Sequence, residues 1–160
     1  MRKICLGLAA SALCAPAEAQ TTHPNASSSD FRIIREIAID KLVTDEHLKI
    51  DFLSVAERAG VKVAYAEVSF SAADHATPGT AWLLLTKDTG YWRMMWATTS
   101  LGIDSCESLA INVRFARQAA ALVNADRTFF TDRFDQEGRR FEDKPRGETC
   151  DGITLSGKNE

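Results

Sequence analysis

Residues Ala81 to Thr98 read AWLLLTKDTGYWRMMWAT, two apolar runs either side of a polar Asp88-Thr89-Gly90 turn. Such a pattern forms a β-hairpin, because Gly90 can take the left-handed backbone that a three-residue loop demands. Pairing Lys87 with Tyr91 sets Trp82 opposite Trp96, Leu84 opposite Met94 and Thr86 opposite Trp92 on one face. Ala81 with Ala97, Leu83 with Met95 and Leu85 with Arg93 then share the other. Both faces are largely apolar, so a sheet built on this hairpin needs a cover on each side.

Upstream, Val61 to Ser71 alternates Ala64, Ala66, Val68 and Phe70 against Val63, Tyr65, Glu67 and Ser69, which is the period of a strand. A second period of two starts at His47, with Leu48, Ile50 and Phe52 on one side, and a turn around Glu57 to Gly60 separates the two strands. The loop from Ala72 to Gly79 holds Asp74, His75 and Pro78. Before these strands, Phe31, Ile34, Ile37, Ala38 and Leu42 recur at helical spacing behind a capping Asp30, and the helix should stop near Val43. After them, Asp104 and Glu107 have capping-box spacing. A long helix follows, with Cys106, Leu109, Val113, Ala116, Ala120 and Val123 on its main face and Ile111, Phe115 and Leu122 on a second apolar edge, ending near Asn124.

The links between strands are too short for crossover helices, so the strands run antiparallel. The expectation is an α+β domain over residues 30–142, a four-stranded antiparallel meander packed by an N-terminal and a C-terminal helix in the order α-β-β-β-β-α. From Asp126 the chain is dense in both signs of charge, with Phe129, Phe130, Phe134 and Phe141 as apolar anchors, and only partial order is expected there. Residues 143–160 read as a polar tail tethered at Cys150.

The N-terminus places the protein. Arg2 and Lys3 precede an apolar stretch from Ile4 to Ala15, and Ala17-Glu18-Ala19 has the small-x-small form of a signal-peptidase site. Residues 1–19 therefore read as a signal peptide cut between Ala19 and Gln20, and the mature chain as secreted and periplasmic. Residues 20–29, with Pro24 and three serines, read as a flexible leader; Asn25-Ala26-Ser27 fits a glycosylation acceptor in a eukaryotic pathway. The mature chain keeps 17 basic and 21 acidic side chains, a net charge of −4, which argues against a nucleic-acid binder. Nor does any run span a bilayer, so no stable membrane insertion is expected. Of four cysteines, Cys106 and Cys150 survive cleavage. In an oxidising compartment they form one disulfide, closing a loop of about 45 residues and stabilising the fold by roughly 4 kcal/mol in the chain-entropy model.

The segment Gly79-Thr80-Ala81-Trp82-Leu83-Leu84, leading through Gly90-Tyr91-Trp92 and preceded by a helix, resembles the cystatin-like and NTF2-like small secreted domains. More narrowly it is similar to periplasmic copper-uptake-associated proteins, over about Asp30 to Asn124; the charged tail with Cys150 departs from that pattern. The resemblance implies a helix against a curved sheet, a pocket between them and a role with copper.

Two constellations carry candidate function. Trp82, Leu84, Trp92, Met94 and Trp96 would form an apolar face, either buried as core or open as a ligand or partner surface. Glu67, Asp74 and His75, beside Tyr65, are the acid–base candidates, against the plainer reading of a turn aspartate and a solvated histidine. No G-x-S-x-G, H-E-x-x-H or P-loop pattern occurs, no cofactor motif is present, and His23, His47 and His75 are scattered rather than spaced as metal ligands. Arg114, Arg117, Arg139, Arg140 and Arg146 amid acidic residues read as a solvated or partner-facing rim. The functional expectation is a secreted non-enzymatic binding module acting through a protein partner, with a homodimer open. The alternative is a small-molecule or copper-binding domain with a pocket between sheet and helix, and lower still a small isomerase- or hydrolase-type enzyme.

Overall fold

The computed structural model describes residues 20–42, 47–71, 78–99, 104–144 and 149–150; residues 1–19, expected to be a signal peptide, Asp74, His75 and most of the tail lie outside the described residues. Strand β1 (Gln20–Thr22) precedes helix α1 (Ser29–Leu42), and strands β2 (Lys49–Arg58), β3 (Val61–Ser71), β4 (Pro78–Lys87) and β5 (Trp92–Thr99) follow. A short strand β6 (Asp104–Ser105), helices α2 (Cys106–Leu122) and α3 (Asp132–Glu142) and strand β7 (Thr149–Cys150) complete the order. The α+β class holds; among the described residues the main sheet has five strands instead of four and there are three helices instead of two. The sheet is an antiparallel meander in the order β1-β2-β3-β4-β5.

The fifth strand is the expected flexible leader. Gln20, Thr21 and Thr22 pair with Glu57, Ala56 and Val55, so this polar segment is held by backbone pairing at the β2 edge and not by any apolar pattern. Between β2 and β3 the chain turns at Ala59 and Gly60, both left-handed (φ 51° and 82°), as a two-residue hairpin loop requires.

Helix α1 is capped two residues earlier than Asp30. Ser28 Oγ accepts from the Phe31 amide at 3.1 Å, which frees the Asp30 carboxylate for tertiary contacts. Ile34 and Ala38 bury against Leu53, Val55, Ala64, Ala66, Val68, Leu83 and Leu85, forming the core on one sheet face. The opposite face, with Ala56, Val63, Tyr65, Trp82 and Leu84, is covered by Leu109, Val113, Ala116 and Ala120 of α2 and by Phe134 and Phe141 of α3. Helix α2 is capped by Ser105, whose side chain accepts from the Ser108 amide at 3.1 Å, where Asp104 and Glu107 were expected to act. At its other end Asn124 is left-handed (φ 52°) and the Ala125 amide reaches the Ala120 carbonyl at 2.9 Å, a Schellman closure.

Helix α3 replaces the loosely ordered segment expected from charge density. Thr131 caps it, accepting from the Phe134 amide at 3.1 Å; Asp132 and Asp135 sit in its first turn and Arg139 and Arg140 in its last, each favourable with the helix dipole. It packs so closely on α2 that a Cβ on Gly138 would lie 2.7 Å from Val113 Cγ1. Arg117 of α2 donates to both carboxylate oxygens of Glu142, at 3.2 and 3.0 Å, and Nη2 lies 3.5 Å from Asp135. Ser54 Oγ, fully buried on β2, donates to the Phe129 carbonyl at 2.5 Å and ties the α2–α3 link to the sheet. Beyond α3, Thr149 and Cys150 pair with Ser105 and Asp104, bringing the tail back to the head of α2. Cys106 there is buried.

Candidate functional site: a groove between the first helix and the edge strand

The register of the β4–β5 hairpin decides where its tryptophans go. Lys87 pairs with Trp92 rather than Tyr91, so four residues make the turn, with Gly90 at φ 100°. Leu85 then faces Met94 while Leu84 faces Trp96, leaving Met95 as the extra residue of a β-bulge. One inserted residue exchanges the faces beyond it. The five residues expected on a single surface are therefore split: Trp82, Leu84 and Trp96 belong with the α2/α3 layer, and Trp92 and Met94 with the α1 layer. Trp82 and Leu84 are sealed, Trp82 standing edge-on to the Phe134 ring with centroids 5.1 Å apart. A continuous tryptophan-bearing surface does not form.

What remains accessible is the margin of the α1 face. The floor of a groove of about 530 Å³ between α1 and β5 is made by Ile37, Trp92 and Met94. Glu36, Asp40 and Lys41 of α1 make its helical wall, and Tyr91 and Arg93 stand on the strand side. Strand β5 ends the sheet order, so its outer backbone edge has no strand partner among the described residues. Asp40 and Lys41 pair with each other at 3.2 Å, both largely exposed. Arg93 donates to the Tyr91 hydroxyl at 2.9 Å and lies 4.8 Å from the centre of that ring, so its charge is engaged on the strand side. Among the described residues Glu36 has no ion-pair partner.

Trp92 is held rigidly. Its indole N–H donates to Asp30 Oδ1 at 2.9 Å, Lys62 Nζ reaches Asp30 Oδ2 at 3.2 Å, and Lys87 Nζ lies 3.8 Å from Asp30 and 5.9 Å from the Trp92 ring centre. Burial pushes the Asp30 carboxyl up, but the hydrogen bonds from Trp92 and Lys62 and the charges of Lys62 and Lys87 outweigh it and hold it below the ordinary aspartate value. This network fixes the start of α1 against the β3–β4–β5 end of the sheet, and with it the width of the groove.

Of the acid–base candidates only Glu67 is described. Its Oε1 accepts from the Tyr65 hydroxyl at 2.7 Å and from Thr131 Oγ1, the residue that caps α3, so it links β3 to that helix. Burial, followed by the charge and hydrogen bond of Glu67, pushes the Tyr65 hydroxyl well above its usual range and keeps it a donor. Arg114 and Arg117 likewise pair within the molecule, with Glu142 and Asp135. No group of three or more His, Cys, Asp or Glu side chains converges among the described residues, and no helix there is long and apolar enough to cross a membrane. The groove escaped sequence reasoning because Ile37 and Met94 are 57 residues apart; only Trp92 and Met94 carried a sequence signal, as apolar alternation next to a turn. Comparison with protein-family models, curated proteins and solved structures gives no match to the chain, so the cystatin-like or NTF2-like resemblance rests on the residues quoted for it.

Proposed function

We propose that this protein is a secreted binding module that acts by holding a protein partner and not by catalysis. The observation that carries the reading is the groove along β5, where an apolar floor of Trp92, Met94 and Ile37 lies beside a strand edge that has no strand partner among the described residues. Apolar aromatic and methionine surface next to polar rims is the composition of protein interfaces. The engagement of Glu67, Arg114 and Arg117 in internal contacts supports the same reading, since each serves the packing of α3. A disulfide between Cys106 and Cys150 belongs to this proposal: β7 brings Cys150 beside Asp104, two residues from Cys106. So does cleavage after Ala19, which frees Gln20 to begin β1.

A second reading is favoured by the same groove: a pocket between sheet and helix for a small molecule, as the cystatin-like resemblance implies. Native mass spectrometry of the mature protein, purified from its own secretory compartment without reductant, separates the two. The expected spectrum shows the chain from Gln20, two hydrogens lighter than the dithiol form, with a second polypeptide attached. A bound ion or small molecule in its place moves the assignment to the pocket, and the full dithiol mass removes the disulfide.

A further inference from the structure

Strand β1 shields the end of β2 nearest the β2–β3 turn, and it does so with three polar residues. Thr22 Oγ1 donates to the Val55 carbonyl at 3.3 Å, Thr21 Oγ1 accepts from the Asp126 amide at 3.2 Å, and His23 Nδ1 lies 3.3 Å from the Leu53 carbonyl. Gln20 has no such side-chain bond among the described residues, and its partner in the register is Glu57. The register strings Gln20, Glu57, Lys62, Lys87 and Trp92 across all five strands, and Asp30 of α1 stands over the row. Asp30 takes both lysines, at 3.2 and 3.8 Å, together with the Trp92 indole. Glu57, at the outer end and 53% exposed, has among the described residues only a share of Lys62, at 3.5 Å. A pocket of about 360 Å³ at this end is lined by Gln20, Thr22, Asp30, Val55, Glu57 and Lys62. Two carboxylates there face one ammonium, so the pocket is one cation short.

We infer that the α-ammonium of mature Gln20 is that cation: it pairs with the Glu57 carboxylate, pins the first residue of β1 to β2 and guards the N-terminus against cyclisation. This goes beyond the groove and rests on the cleavage after Ala19 proposed above, which turns the Gln20 backbone nitrogen from an amide into a free amine. The charges facing that amine are Glu57 from β2, Lys62 from β3 and Asp30 from α1, with the repulsion of Lys62 offset by Asp30. Asp126 is reached through Thr21, which points to the opposite sheet face. An N-terminal glutamine becomes pyroglutamate when its neutral amine attacks its own side-chain Cδ, forming the N–Cδ bond and expelling the amide nitrogen as ammonia. A protonated amine has no lone pair for that attack, and a carboxylate beside it favours the protonated form.

The test uses the secreted protein as isolated. Its intact mass should show an N-terminus at Gln20 that has not lost ammonia. A pH titration of the Gln20 Hα resonance should place the amine about half a pH unit above the ordinary range of roughly 7.7–8.0, the size expected of a half-exposed ion pair. E57Q should return it to that range; near pH 7 this raises the neutral-amine fraction about threefold, so loss of ammonia on incubation should run about threefold faster. E36Q, which removes an exposed acid from the α1–β5 groove, should change neither reading. Raising the salt to about 1 M should abolish the shift in the native chain, which keeps the test meaningful if E57Q fails to fold. An amine that titrates alike in the native chain and in E57Q, a shift indifferent to salt, or a protein already cyclised as isolated overturns the inference. An N-terminus other than Gln20 removes it together with cleavage after Ala19, and leaves the binding-module reading of the groove standing.

Discussion

The two faces of the sheet are built on different terms. On one, α2 and α3 lie side by side and seal an aromatic core, in which Phe134 touches Tyr65, Trp82 and Phe130 with ring centroids 5.0, 5.1 and 4.4 Å apart. On the other, the single helix α1 covers a core that is mainly alanine, valine and leucine, with Phe70 and Trp92 among them. Four long strands at about 4.8 Å spacing present a face roughly 15–20 Å wide, and a helix with its side chains is about 10 Å across. Two helices cover such a face and one does not. The difference teaches that the groove beside β5 follows from helix count: the α1 face has a margin left over, and there Met94 stays half-buried over a Trp92 that is itself buried.

The sharpest way to break this comparison is to remove the keystone of the sealed face. Phe134→Ala should cost about 3–5 kcal/mol in chemical denaturation, since it deletes a fully buried ring that touches three others. A loss below about 1 kcal/mol would mean that α3 is not integral to the core. Gly138→Ala probes the same seam more gently. Alanine is the better helix former by about 1 kcal/mol, but a new methyl 2.7 Å from Val113 Cγ1 meets a short, buried side chain that cannot swing away. Overpacking of about 1–3 kcal/mol should win, giving a net loss of up to about 2 kcal/mol in the melting or urea curve. A stabilised variant would show that α2 and α3 can separate freely.

The smallest effect is expected on the α1 face. Asp30 is held below its ordinary pKa of 3.8, so its contribution to stability is complete near neutral pH and is lost as pH falls through its native value. Asp30→Asn keeps an acceptor for Trp92 but leaves Lys62 and Lys87 without their shared carboxylate. A loss of about 1 kcal/mol at pH 7 is expected, shrinking as pH falls below the ordinary aspartate value of 3.8 and through the lower native one. An equal loss at pH 7 and pH 3 would separate Asp30 from its charge role and leave the groove without the anchor described for it.

The main face of α2 was legible residue by residue, because burial on one side imposes a period that the sequence must carry, whereas β3, buried on both faces, was legible as an apolar run between two turns. Within the candidate site, Trp92 and Met94 were legible as apolar strand residues, but Ile37, Glu36 and Asp40 as their neighbours were not. Helix α3 had its signals, with Thr131 three residues before Phe134 and then Phe134, Gly138 and Phe141 at helical spacing. They were masked by nine charged residues between Asp126 and Glu142, whose pairing with α2 is a tertiary matter.

By itself the sequence determined the α+β class, the meander and the turn at Gly90, since period, turn chemistry and short links are local properties of the chain. Only the tertiary structure decided the rest. A bulge at Met95 is set by which ring finds room on which face, β1 by a neighbour's open edge, and the groove by the width one helix cannot cover; none of these has a period for the sequence to display.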